Sequence, residues 1–110
     1  MVGLIKTIDE AINNLNTTIK DINANNFDDA INSLNRIKTF LVDIEKINRN
    51  IFHGNDIGKI NFTINSVMTL ITNLDKRKKP EQNKPQLQKD LNNIIDQVRG
   101  IRVVLNRPKN

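Results

Sequence analysis

Apolar residues recur three and four positions apart in four stretches of the chain, a spacing typical of amphipathic α-helices. The four series are Ile5, Ile8, Ile12, Leu15, Ile19 and Ile22; Phe27, Ala30, Leu34, Ile37, Leu41 and Ile44; Ile57, Ile60, Ile64, Val67, Ile71 and Leu74; and Leu87, Leu91, Ile94, Val98, Ile101 and Leu105. Each series places one apolar stripe along a helix, and such a stripe must be buried against another element. Four stripes of similar length, separated by short breaks, bury one another most simply in an antiparallel up-and-down bundle. The sequence therefore predicts an all-α four-helix bundle.

The breaks between the series indicate where the helices end. Asn25 and Asn26 suit the end of the first helix and the cap of the second, because asparagine is favoured at both kinds of position. Gly54 suits a left-handed residue that closes the second helix, and Asp56 suits the cap of the third. Pro85 suits the first turn of the fourth helix, where its missing N–H needs no partner. We therefore predict helices over residues 3–24, 27–52, 56–78 and 85–106, within a single domain of residues 1–110.

Some residues do not fit the four series. Gly100 falls inside the fourth helix, and the sequence leaves open whether it allows a close helix crossing or a kink, or is only tolerated there. Six apolar residues lie off the stripes, where they either widen the core or form an interface: Leu4, Ile47, Phe52, Phe62, Leu70 and Ile95. The pattern alone does not separate these two roles.

Composition excludes several kinds of site. The 110 residues include no Cys and one His, so a disulfide framework, a thiolate metal site and thiol-based catalysis cannot be built. Paired carboxylates such as Asp28 and Asp29 are explained by the first turn of a helix, where the helix dipole favours negative charge. We therefore expect no metal, no cofactor and no enzymatic activity. No run of residues approaches the roughly 20 apolar positions that a membrane-spanning helix needs.

Positive charge is concentrated in the last third of the chain. Residues 1–75 hold seven Lys and Arg against nine Asp and Glu, whereas residues 76–110 hold ten against three. The basic residues that we single out as a partner-binding surface are Lys76, Arg77, Lys78, Lys79, Lys84, Arg99, Arg102 and Arg107. In an up-and-down bundle the residues from Lys76 to Lys84 would lie at one end of the rod and Arg107 at the other. A basic stripe along the fourth helix would connect them.

A basic stripe can meet an acidic protein surface, an anionic membrane surface or nucleic acid. Proteins that bind single-stranded nucleic acid usually stack the bases on aromatic side chains, and residues 76–110 contain no aromatic residue. Nonspecific contact with a duplex and a purely solvating role for the charges stay open. An acidic protein surface is the partner that we expect.

One short motif offers an enzymatic alternative. Arg49, Asn50 and His53 resemble the Arg-Asn-x-x-x-His signature of HEPN-type ribonucleases, which are themselves helical bundles. Here the histidine follows one residue too early, and members of that family usually carry the motif late in the chain. A loop histidine that caps the carbonyl groups of the second helix, or has no role, is the simpler interpretation of His53.

A wider set of residues carries a second resemblance. The set is Ile22, Asn23, Phe27, Ala30, Asn32, Leu34, Phe40, Leu41, Ile71, Asn73, Leu74 and Asp75. In its spacing, without gaps over about half of the chain, it resembles PsbQ, the family of extrinsic subunits of photosystem II. That family has Ile-Asn before an aromatic residue at the start of its second helix, an aromatic-Leu pair further along, and Ile-x-Asn-Leu-Asp at the close of its third. Phe27 replaces the usual Trp, basic residues follow Asp75 where small ones are common, and the proline-rich N-terminal arm of plant members is absent, as in shorter algal and cyanobacterial relatives.

The resemblance implies a basic four-helix bundle without catalytic activity. Such a subunit would lie in the thylakoid lumen, peripheral to the membrane, and dock on the photosystem II core and other extrinsic subunits. There it would help to retain calcium and chloride at the manganese cluster without touching the metals. This interpretation requires a targeting presequence that has been removed, or import by another signal. A reading frame that starts at Met1 would instead favour a small cytosolic partner-binding bundle of phage, plasmid or bacteriocin-immunity type, and that alternative stays open.

Overall fold

Four α-helices make up the fold. The structure, a computed structural model, describes residues 2–47, 52 and 54–106, and only the backbone of residues 2 and 47. The helices span Val2–Asn23 (α1), Phe27–Ile47 (α2), Gly54–Asn73 (α3) and Lys84–Leu105 (α4), and two 3-10 turns, Lys76–Lys78 and Pro80–Gln82, lie between α3 and α4. No strand occurs within these described ranges, and the predicted all-α class is confirmed.

The helices pack in a ring, in which each contacts its neighbours in the chain and α4 contacts α1. α1 and α4 run in opposite directions, because Arg102 contacts Asp9 near the start of α1 while Lys84 contacts Asn23 at its end. α3 and α4 are antiparallel as well, because the groove between them brings the start of α3 beside the later part of α4, and the end of α3 beside the earlier part of α4. A turn at residues 24–26 reverses the chain between α1 and α2. It follows that α2 and α3 are antiparallel too, so the predicted up-and-down bundle is confirmed.

The turn between α1 and α2 forms at the predicted asparagines. Asn25 has a left-handed backbone with φ 63°. The Asn26 N–H donates to the Asp21 carbonyl at 2.7 Å, and the Asn25 N–H donates to the Ile22 carbonyl at 3.1 Å. This pair of bonds is the Schellman arrangement, which satisfies carbonyl groups at the end of a helix. The Asn26 carbonyl accepts the Ala30 N–H at 3.1 Å, so Asn26 also begins α2.

Several other predicted boundaries are wrong. α3 begins at Gly54, which has no left-handed backbone and does not close α2, and Asp56 lies inside the first turn of α3 rather than before it. α3 ends at Asn73 and not at residue 78, because the Asp75 side chain caps a separate 3-10 turn. The predicted second helix also ends too late, since Phe52 is not helical. The predicted ends of α1 and α4 differ from the observed ones by one residue.

Every residue of the predicted series in α2 and α4 is buried, and α4 buries Ile95 in addition. In α1 and α3 part of the series is displaced by one residue: Ala11 and Thr18 are buried in α1 and Thr63 and Leu70 in α3, whereas Ile12, Ile19, Ile64 and Ile71 are only partly buried. These four residues are buried in the core, and the four isoleucines pack against it partly exposed. The hydroxyl groups of Thr18 and Thr63 donate to the carbonyls of Asn14 and Lys59, so neither is left unsatisfied in the core.

The apolar residues off the stripes differ in how far their side chains are buried. Phe52, Leu70 and Ile95 are buried and widen the core, and Leu4 packs against it partly buried. Phe62 is 63% exposed. The side chain of residue 47 lies outside the described part of the structure.

Gly100 does not mark a close helix crossing. A Cβ atom added there would meet no atom within 4 Å, and its backbone has no positive φ. Because glycine is less favourable than alanine inside a helix, we expect Gly100→Ala to raise the free energy of unfolding by about 1 kcal/mol. Urea unfolding followed by circular dichroism measures this change. A fall in stability would show that the glycine is needed for the shape of α4.

Candidate partner-binding surface

Five of the predicted basic residues gather where the chain passes from α3 to α4. We call this group the basic end; it consists of Lys76, Arg77, Lys78, Lys79 and Lys84. The Lys84 Nζ donates to the Asn23 carbonyl at the end of α1 at 3.1 Å. The Lys76 Nζ lies 3.8 Å from the Asp28 carboxylate in the first turn of α2. The basic end therefore touches the ends of both other helices, as the sequence predicts for one end of a rod.

Asp75 and Arg77 form a clasp at the start of the connection. One carboxylate oxygen of Asp75 accepts the Arg77 backbone N–H at 2.9 Å and the Arg77 Nε at 3.3 Å, and the other accepts Arg77 Nη2 at 3.1 Å. The side-chain hydrogen bonds and the backbone hydrogen bond from Arg77 lower the pKa of the Asp75 carboxyl from its usual value. The carboxylate therefore stays charged at neutral pH, and the clasp is lost only as the pH falls through that lowered pKa.

Three lysines of the basic end remain available to a partner. Lys78 and Lys79 are exposed, and within the described residues neither ammonium group has an ion-pair or hydrogen-bond partner. The pair between Lys76 and Asp28 joins side chains that are 81% and 76% exposed, and exposed pairs of this kind contribute about 0–1 kcal/mol. An acidic partner can therefore displace Asp28 at little cost.

The end of the bundle is not uniformly positive. Asp28 and Asp29 lie in the first turn of α2, and Glu81 lies in the second 3-10 turn. Lys20, which the sequence prediction missed, lies exposed in the last turn of α1. Its position one turn before the break at Asn25 was the available signal. Positive charge is thus local to the connection.

The predicted stripe along α4 is interrupted by carboxylates. The Arg102 Nε lies 2.7 Å from one Asp9 oxygen and its Nη2 lies 3.4 Å from the other. The hydrogen bond to Asp9 raises the pKa of the Arg102 guanidinium. Arg99 lies 3.5 Å from Asp96, one turn earlier on the same helix. Arg102 therefore joins α4 to α1, and the role of Arg99 and Arg102 in partner binding stays a prediction.

The remaining predicted residues cannot be placed. Arg107 lies outside the described residues, as do Arg49, Asn50 and His53 of the ribonuclease-like motif. Among the residues that are described, no three His, Cys, Asp or Glu side chains come together as ligands for a metal ion. None of the described helices combines the length and the apolar character that crossing a membrane requires.

A groove runs between α3 and α4, away from the basic end. Two adjoining hollows of about 340 and 540 Å³ share Phe62 and Gln97 in their linings. Gly58 and Gly100 line the larger one, where the absence of side chains leaves it open. The buried Oε1 atom of Gln97 has no hydrogen-bond partner in the described part of the chain. The groove has room for an apolar group, and no feature of its lining identifies one.

Comparisons of the chain with protein-family models, with curated proteins and with solved structures find no match. Function must therefore be inferred from the surface itself and from the residue resemblance.

Proposed function

We propose that the protein is a non-catalytic docking subunit that attaches to an acidic protein surface through its basic end. The observation that carries this proposal is the trio of Lys76, Lys78 and Lys79. Two of these lysines have no carboxylate partner among the described residues, and the third has only an exposed one. Clustered positive charge of this kind steers association with an acidic surface and selects against wrong partners.

The rest of the molecule suits a rigid support for that surface. Lys84 ties the start of α4 to the end of α1, and Arg102 ties the far part of α4 to Asp9. Gln88 adds hydrogen bonds to the Ile19 carbonyl at 3.1 Å and to the Asn23 side chain at 2.8 Å. These contacts fix α4 along α1, so the connection that precedes α4 is held in place at its end.

In its finer form, the proposed role is that of an extrinsic photosystem II subunit. It would lie on the lumenal side of the thylakoid membrane, bind the photosystem core and other extrinsic subunits, and help to retain calcium and chloride. Three features support this form: the residue resemblance to PsbQ, the four-helix architecture and the basic end.

Rebinding to photosystem II membranes tests the proposal. The membranes are first washed with about 1 M NaCl to remove extrinsic subunits, and purified protein is then added at low salt. We expect sedimentation to recover the protein with the membranes at about 20 mM NaCl and to release it at about 1 M, because salt screens exposed charges. Vesicles of anionic lipid, tested in parallel, separate binding to protein from binding to the membrane surface.

The outcomes distinguish the two levels of the proposal. Binding that persists in molar salt, or that the lipid vesicles reproduce, would contradict docking on an acidic protein surface. If the protein binds neither membranes nor vesicles, the photosystem II assignment fails. The partner-binding bundle of a cytosolic context would then take its place, and the precursor gene would show whether a targeting segment precedes Met1.

A further inference from the structure

The connection between α3 and α4 is fixed by its own contacts, although it lies on the surface. Asp75 binds Arg77 through three hydrogen bonds, and the Lys78 N–H donates to the Asp75 carbonyl at 2.9 Å. All four of these hydrogen bonds involve Asp75, and together they hold the first 3-10 turn. Removing the carboxylate would leave only the backbone bond.

The second half of the connection continues from a constrained residue. Lys79 has a left-handed backbone with φ 51°, and its N–H donates to the Lys76 carbonyl at 3.1 Å. A residue with a side chain disfavours this conformation, so the surrounding bonds must hold it. Pro80 follows, and its side chain is buried. The Gln82 N–H donates to the Lys79 carbonyl at 3.0 Å. This hydrogen bond closes the second 3-10 turn, which contains the buried Pro80.

We propose that Asp75 is a positioning residue, which holds Lys76, Lys78 and Lys79 as a fixed array for a protein partner with carboxylates in a matching array. This inference rests on the proposed docking function and names the kind of partner surface that fits it. Long lysine side chains lose rotamer entropy when they bind, and a backbone that is already ordered avoids adding to that loss. Because acidic residues share this end of the bundle, the arrangement of the lysines, rather than total charge, would select the partner.

Replacing Asp75 distinguishes a positioning role from a simple effect of charge, because the two predict opposite changes in affinity for an acidic surface. Asp75→Ala removes one negative charge beside the lysines, so an effect of charge alone would strengthen binding to an acidic surface. Loss of positioning would weaken it. Asp75→Asn removes the same charge but keeps an oxygen that accepts the Arg77 N–H, so positioning predicts an intermediate result. Glu81→Gln is the matched control, since Glu81 is exposed on the same connection and takes no part in the clasp.

The experiment measures rebinding of the four proteins to salt-washed photosystem II membranes at low salt. We expect Asp75→Ala to bind about three- to tenfold more weakly than the natural protein, Asp75→Asn to fall between them, and Glu81→Gln to bind at least as well as the natural protein. If Asp75→Ala binds as well as the natural protein or better, the positioning role is overturned.

A second readout uses the free protein and does not depend on a partner. Backbone order parameters of residues 76–79, from nitrogen-15 relaxation, should lie near the rigid value of about 0.85 and fall in Asp75→Ala, whereas those of the four helices should not change. Unchanged order parameters would overturn the inference even if binding changed. If the natural protein itself fails to rebind, the photosystem II assignment fails and the binding part of this inference fails with it, whereas order parameters that fall in Asp75→Ala would still support the positioning role of Asp75.

Discussion

Replacing Leu34 by alanine is expected to lower the free energy of unfolding by about 2–5 kcal/mol. Leu34 lies in α2 and is fully buried in the core, so the substitution removes three buried carbon atoms and leaves a cavity there. A domain of this size is usually stable by about 5–15 kcal/mol. The loss is therefore a large share of the total, and the melting temperature should fall by at least about 10 °C. Guanidinium unfolding followed by circular dichroism measures it.

The control for this prediction is Val103→Ala, which removes apolar atoms from a side chain that is 65% exposed. Alanine is a better helix former than valine, so the control should unfold at the same denaturant concentration as the natural protein or at a slightly higher one. Equal destabilisation by the two substitutions would contradict the packed core around Leu34.

The apolar period was enough to predict the four helices and their arrangement, and it was most accurate in α2 and α4. In α1 it selected Ile12 and Ile19, because isoleucine is the more hydrophobic neighbour, whereas the structure buries Ala11 and Thr18. Adjacent positions on a helix differ by about 100°, so both lie near the contact. Which one occupies its centre depends on how closely the neighbouring helix approaches, and the pattern of a single helix does not contain that distance.

Helix ends were predictable where one residue type decides them. Asn25 adopts the left-handed conformation that asparagine tolerates, and the turn forms there. The end of α3 was not predictable in this way, because Lys76, Arg77 and Lys78 are good helix formers. Burial of Pro80 and the clasp at Asp75 compete with helix propensity at this point, and both depend on where α4 must begin.

The sequence predicts where the candidate site lies. It does not predict which of the positively charged side chains remain available to a partner. Clustering in the sequence places Lys76 to Lys84 at one end of a rod, and the structure agrees. However, Arg102 and its partner Asp9 are 93 residues apart in the chain, and Lys84 and Asn23 are 61 apart. Only the packed bundle brings these pairs together, so the sequence could not separate the cations that hold the fold from those that remain available.

Replacing Lys76, Lys78 and Lys79 together by serine is expected to weaken rebinding to salt-washed photosystem II membranes about ten- to hundredfold at low salt. Each exposed cation contributes up to about 1 kcal/mol against an acidic partner, and most of the loss should appear in the association rate. Arg77 is retained in this variant because its guanidinium holds the connection through Asp75. Surface plasmon resonance on immobilised membranes measures both rates, and a thermal melt checks that the bundle is intact.

The control variant removes the same total charge from the other end of the bundle, through Lys6, Lys46 and Lys59 replaced by serine. These lysines lie near the start of α1, the end of α2 and the start of α3, and all three are exposed. If net charge alone drove association, the two variants would lose affinity equally, and the basic end would not be the docking surface. If docking takes place through the basic end, the control should lose less than about threefold when its rebinding is measured at 0.1 M salt, because charges more than a Debye length of about 10 Å from the contact are then largely screened.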